Sequence, residues 1–446
     1  NGAKPADLTN TRQEDAMVSY VGSLNYGYND KYYAGFSFRR DGSSRLAPDT
    51  RWGNFWAVSA SWRLSQENFM KPWENVVSDM KLRASYGVNG NLPTGYYGYH
   101  GTYTTGAFYN GKPAPWEDAI ANPDLTWEKN YALNLGVDLS LFRRVNLTFD
   151  WYTRTTKDLL MSKQLNSISG FGSILTNVGE MKNTGFEIEV RSSNIQTKDF
   201  SWTTSLNLSH NKNKIVKLAD LPEFIDGNYI RKEGSYATIY LREYAGVDPN
   251  DGRPMYYDNK EDENGNRSRN IVYDPNDADR VELKDIYPKL TGGLMNTFNY
   301  KFIDLSFNLS FHLGGYSYDG AMYALQDDGY TAQYNKSTEL RRRWKQPGDI
   351  TDVPRYVYGQ EYGGWWNSSR GVHSTDHLRL KSLIVGVSAP QSWLRTIGIN
   401  SARIYFSGTN LLTWAAYDQY DPELNGIVSY FTPPLKTFAF GLELKF

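Results

Sequence analysis

Trp365 and Trp366, flanked by Gly363, Gly364 and Asn367, offer two adjacent indole rings for ligand chemistry. An electron-rich ring face accepts the C–H groups of a pyranose, and Asp327, Asp328 and Asn335 carry oxygens and an amide suited to sugar hydroxyls. These five residues form the candidate ligand-binding set. Packing at a protein interface would use the same rings, and it is the plainer use of the two.

Other clusters carry less chemistry. Asp258 to Asn266 is oxygen-rich, but Lys260 interrupts it and no helical pattern flanks it, so it reads as a turn rather than a calcium loop. Arg341-Arg342-Arg343-Trp344-Lys345 is the one dense basic run. With Ser337-Thr338-Glu339 ahead of it, it reads as a short helix, and a single run in a neutral chain does not indicate nucleic acid. The histidines show no metal-ligand spacing, and His312 reads as a satisfied polar group on a strand. No GxSxG or P-loop motif occurs, so neither catalysis nor a cofactor or metal is expected.

The elements that would position these residues come from alternation. Phe438, Phe440, Leu442, Leu444 and Phe446 fall on one face of the final segment, and Thr437, Ala439, Gly441, Glu443 and Lys445 on the other. The pattern recurs along the chain. Strands are expected at Met17–Tyr28, Tyr32–Arg40, Gly53–Leu64, Asp79–Asn89, Trp127–Leu141, Val145–Leu160 and Thr184–Ile195. Six more are expected at Ser201–Val216, Leu290–Tyr300, Ile303–Leu313, His377–Ala389, Ala402–Thr413 and Lys436–Phe446. Tight turns alternate with long connections: Asn89–Trp127, Leu160–Thr184, Val216–Leu290, Leu313–His377 and Thr413–Lys436. Strands of this length, apolar on one face, with short turns at one rim and long loops at the other, indicate an all-β transmembrane antiparallel barrel.

Composition agrees with that expectation. Mean hydropathy is −0.61 and no run approaches the ~20 apolar residues of a spanning helix. The 48 basic and 49 acidic residues leave a net charge of −1, which gives no global attraction for nucleic acid. The 34 Tyr and 13 Trp suit interfacial girdles, and the absence of cysteine excludes thiol chemistry. With short turns periplasmic, the last strand and the first both run inward. Thirteen antiparallel strands cannot close without a parallel seam, and an open edge cannot face lipid. The chain opens on Asn1 with a turn-rich segment, so residues 1–446 are expected to be the C-terminal portion of a longer barrel protein.

Several motifs now identify a resemblance. Arg39-Arg40-Asp41-Gly42-Ser43-Ser44-Arg45 with Trp52 to Ser59, Lys81 to Gly87 with Asn89-Gly90-Asn91, and Asn122 to Glu128 resemble segments of SusC-like TonB-dependent transporters of Bacteroidota. Asn177 to Gly185 with Glu187, Tyr405 to Leu411, and Tyr417 to Pro422 complete the set in the same order. The resemblance implies a barrel of about 22 strands, of which this chain supplies the last thirteen, with the plug and early strands outside it. It also implies the bacterial outer membrane, with loops facing the exterior and outer-membrane lipids around the wall. The implied partners are a SusD-like surface lipoprotein as lid, and TonB–ExbB–ExbD acting through the N-terminal part. The implied function is import of large nutrients, glycan oligosaccharides first and oligopeptides second. A scaffold barrel that moves no solute is the rival reading. Phe438, Phe440, Leu442, Leu444 and Phe446 resemble the signal read by the barrel-insertion machinery. The Arg39–Arg45 run reads as turn chemistry at Asp41-Gly42 with arginines paired to acids, in preference to a site for an anionic partner.

Overall fold

The computed structural model describes residues 12–106, 108–218, 223–226, 229–232, 235–320, 322–330, 333–359, 368–394, 398–424, 426–428 and 432–446. Thirteen strands pair in chain order as one antiparallel sheet. They are β1 Met17–Tyr28, β2 Tyr32–Ser43, β3 Trp52–Arg63, β4 Val77–Asn91, β5 Glu128–Leu141, β6 Val145–Gln164 and β7 Ser173–Gln196. The rest are β8 Phe200–Lys217, β9 Leu290–Tyr300, β10 Ile303–Leu313, β11 His377–Ser388, β12 Ser401–Ala415 and β13 Thr437–Lys445. Each expected strand is present, because the period-two pattern survives wherever one face is apolar.

Register shows how that pattern becomes two faces. Tyr33, Ser61, Arg83, Gly136 and Asp150 lie opposite one another across β2 to β6 and build the polar face. One residue along, Tyr32, Trp62, Leu82, Val137 and Phe149 form the matching row of the apolar face. A one-residue slip would exchange the faces on every strand, which is why the register holds across the sheet. At the short-turn rim Tyr28, Tyr32, Trp62, Phe142, Tyr300 and Phe302 are exposed, as in an interfacial girdle.

Two expectations need correction. The connection from Leu160 to Thr184 is not a long loop. β6 continues to Gln164 and β7 starts at Ser173, so the two strands form one extended hairpin with a register shift around Asp158. Apolar and polar residues are mixed on both faces of this extension, with Leu159, Leu160 and Met161 consecutive and Ile174 next to Leu175, so period-two alternation fails there. Asp41-Gly42 is not a turn either, since β2 runs on to Ser43. Gly42 is needed there because the Trp52 ring lies over it, within 2.8 Å of where a Cβ would stand.

The hydrophobic core lies in the long-loop layer. Leu46, Phe55, Val88, Leu125 and Trp127 form one buried cluster, and Ile239, Leu241 and Tyr318 another. Short loop strands frame the second cluster: Tyr316–Asp319 pairs antiparallel with Val372–Ser374 and parallel with Gly426–Val428. The loops are therefore folded structures with their own packing.

Candidate ligand-binding rim

The candidate residues sit in the connection between β10 and β11. Its backbone is drawn tight at Gly329, where φ is +125° and a Cβ would stand only 2.0 Å from the Val357 carbonyl oxygen. Val357 and Gly359 donate backbone hydrogen bonds to Asp328 and Gly329, fixing the turn that carries the two carboxylates. Asp327 and Asp328 are buried, at 4% and 3% exposure. Asp327 accepts from the Lys336 ammonium at 2.6 Å, and Lys336 also donates to the Ala324 carbonyl. Asn335 is exposed, with exposed Tyr330 and Tyr334 in the same segment. Trp365 and Trp366 lie outside the described residues. Of the five candidates, the structure thus brings two into a buried turn and presents one to solvent.

A second constellation, missed in the sequence, clamps the last long loop to the sheet. Arg379 on the polar face of β11 is 3% exposed, and donates to Asp421 at 2.6 Å and Glu423 at 3.1 Å. Lys381 also reaches Glu423, at 2.7 Å. Burial leaves little water to screen these charges, so the pairs hold the 417–424 segment firmly. The available signal was a charged residue at a polar-face position of β11, together with the Tyr417–Pro422 motif.

Next to this clamp His373 stacks flat on Tyr417 at 3.7 Å, and the Tyr417 hydroxyl donates to Asp319 at 3.0 Å. Burial lowers the His373 pKa to about 4, with Arg370 adding to the effect. Burial also pushes the Tyr420 phenol up to about 12. Tyr420 further joins Ser317 through their hydroxyls. His312 packs its ring 4.8 Å from His377, and its buried Nδ1 has no hydrogen-bond partner among the described residues. The satisfaction expected for His312 is therefore not met at Nδ1 among the described residues.

The remaining motifs resolve as structure. Arg39 pairs with buried Asp41 at 2.6 Å, Arg45 pairs with Asp15, and Arg40 lies over Trp52. Asp258 accepts from Ser268 and Asn270, and Asp262 from Asn264 and Asn266, so both carboxylates brace turns. Thr338–Arg342 is a short 3-10 helix capped by Ser337. The final strand carries Phe438, Phe440, Leu442 and Leu444 exposed on one face, the first two against Phe406.

Comparisons with known proteins agree with this architecture. Residues 1–231 match the family model described as TonB dependent receptor-like, beta-barrel. TonB-dependent receptor P3 of Formosa agariphila is 33% identical over all of this chain and 47% of its own length. TonB-dependent receptor SusC of Bacteroides thetaiotaomicron is 29% identical over all of this chain and 45% of its own. The solved RagAB peptide transporter superposes on 96% of this chain and 48% of its own chain, with a TM-score of 0.86 and 29% identity. The chain spans about half the length of the curated relatives it matches. The family match and the superposition agree with the sheet described above, and the chain belongs to the TonB-dependent receptor β-barrel family of the outer membrane, SusC and RagA type.

Proposed function

We propose that this chain is the C-terminal wall and rim of an outer-membrane importer for large nutrients. The observation that carries the reading is the thirteen-stranded sheet with one apolar face and folded loops gathered at one rim, in a chain similar to SusC and RagAB. The apolar face meets lipid, and the polar face lines the lumen. The long-loop rim faces the cell exterior. β1 and β13 have no partner on their outer edges among the described residues, and further strands with a plug complete the barrel. A SusD-like lipoprotein covers the rim, and TonB–ExbB–ExbD drives the plug.

Glycan oligosaccharides are the favoured substrate. Exposed Tyr330 and Tyr334 beside Asn335 provide stacking faces and an amide of the kind sugars use, with Trp365 and Trp366 as further candidates in the same connection. Oligopeptides are the second reading, supported by similarity to a solved peptide transporter. The test is growth and uptake in a deletion strain complemented with the full-length receptor. Energy-dependent uptake of oligosaccharides supports the first reading, and of oligopeptides the second. Unchanged fitness and surface composition after loss of TonB would leave only the scaffold role.

A further inference from the structure

The extended β6–β7–β8 region carries a group of lysines that no fold requirement explains. On the apolar face, rows of Leu147, Phe149 and Trp151 on β6, Val190, Ile188 and Phe186 on β7, and Leu206 and Leu208 on β8 stand in register. Four to six residues beyond those rows the same face turns basic. Lys182 stands directly opposite Lys214, and Lys212 opposite Thr184, next to Lys182 along β7. Lys157 and Lys217 stand opposite Glu180, and Asp158, the neighbouring carboxylate on β6, is taken up by Lys129.

Directly opposed side chains on antiparallel strands have Cβ atoms about 5 Å apart, and like charges at that spacing destabilise the pair. No ion pair relieves Lys182, Lys212 or Lys214 among the described residues, and the Lys157 ammonium lies over the Tyr131 ring. Lys212 and Lys214 are exposed. An apolar band of ~25 Å crossed by strands tilted ~40° takes about 10 residues. Counted from Phe200, which pairs with Tyr300 of the short-turn girdle, Lys212 and Lys214 fall twelve and fourteen residues along, and Lys182 stands level with Lys214, so the three lie two to four residues past the band's far edge, at headgroup level.

We propose that Lys182, Lys212 and Lys214 form a site for the phosphate groups of a phosphorylated glycolipid in the outer leaflet. The acyl chains would lie along Phe186, Ile188 and Leu208, directly below the ammonium groups on the same strands. Continuity with the apolar face selects a lipid over a soluble anion, and the uncompensated positive charge selects phosphate over a neutral headgroup. This inference rests on the reading that the long-loop rim faces the exterior.

The test uses the full-length receptor in phosphatidylcholine nanodiscs doped with bis-phosphorylated lipid A or its dephosphorylated form, with retained lipid counted by native mass spectrometry. The expected result is roughly tenfold preference for the phosphorylated lipid, lost in Lys182→Gln/Lys212→Gln/Lys214→Gln and kept in the triple arginine variant. A control with Lys198→Gln and Lys301→Gln at the short-turn rim keeps the preference. Heat-modifiability confirms that each variant is folded. Equal retention of both lipids by the wild type, or undiminished preference in the glutamine variant, overturns the proposal. So does a glutamine variant that keeps its lipid and loses a co-purifying lipoprotein. Failure of energised uptake with lipid preference intact would count against the importer and leave this site standing.

Discussion

Arg83 donates to both carboxylate oxygens of Asp150, at 3.0 Å each, by lying across Gly136 on the strand between them. It also engages Asp138 at 2.8 Å and 3.0 Å, so one guanidinium ties three strands together on the polar face. A Cβ on Gly136 would stand 2.6 Å from both the Arg83 guanidinium carbon and an Asp150 oxygen. Gly136→Val is expected to displace the arginine and cost about 1–3 kcal/mol, read as a lower midpoint in urea unfolding. An unchanged midpoint would show that the bridge contributes nothing.

Gly185 provides a stricter case, because the obstacle is backbone. Its Cβ would stand 2.1 Å from the His210 carbonyl and 2.6 Å from the Tyr152 hydroxyl. Gly185→Ala is expected to separate β7 from β8 locally, with faster amide exchange at residues 184–186 and 209–211. Restoration by Tyr152→Ala in the same chain would contradict this, since removing the ring leaves the carbonyl in place.

Arg379→Ala removes the buried partner of Asp421 and Glu423. Breaking a buried pair from one side costs about 3–5 kcal/mol. The loss should appear as protease cleavage within 417–424 while the thirteen-stranded sheet stays heat-modifiable. Arg379→Lys is expected to rescue poorly, because one ammonium cannot span both carboxylates as the fork does.

His373 makes the same loop layer acid-sensitive. Its pKa is about 4 in the fold, below the ordinary value of 6.5, because burial penalises the cation. Above pH 6.5 the ring is neutral folded or unfolded, and its packing is retained in full. As pH falls from 6.5 toward 4 only the opened loop binds the proton, so stability drops by up to about 3 kcal/mol. Amide protection at 372–376 and 417–420 should decline across that window. His373→Phe, which keeps a ring against Tyr417, should flatten the response.

Within the rim, Asn335→Ala and Asp327→Asn should separate ligand contact from support. The first is expected to weaken binding of the imported oligomer several-fold with unfolding unchanged. The second removes the negative charge that faces the Lys336 ammonium and should lower stability, about 1–3 kcal/mol. Deleting Leu444–Phe446 addresses assembly: outer-membrane abundance should fall, and normal abundance of a heat-modifiable product would remove the proposed insertion signal.

The strand set was legible in the sequence because a sheet with one apolar face writes its register as period-two polarity, as Leu305 to Leu313 does in β10. The order of neighbours followed, since tight turns such as Asn29-Asp30, both at positive φ, force adjacent strands to pair. Tertiary structure decided what local polarity cannot encode. The β6–β7 extension mixes apolar and polar residues on both faces, so nothing in its pattern marks it as strand or brings Lys182 opposite Lys214. Asp327 and Asp328 offered the right groups for a ligand, yet the turn at Gly329 buries them and Lys336 neutralises Asp327. Arg379 meets Asp421 across 42 positions of chain. Charges that far apart in sequence become partners only when the loop layer folds, and their pairing follows from the whole sheet rather than from any local motif.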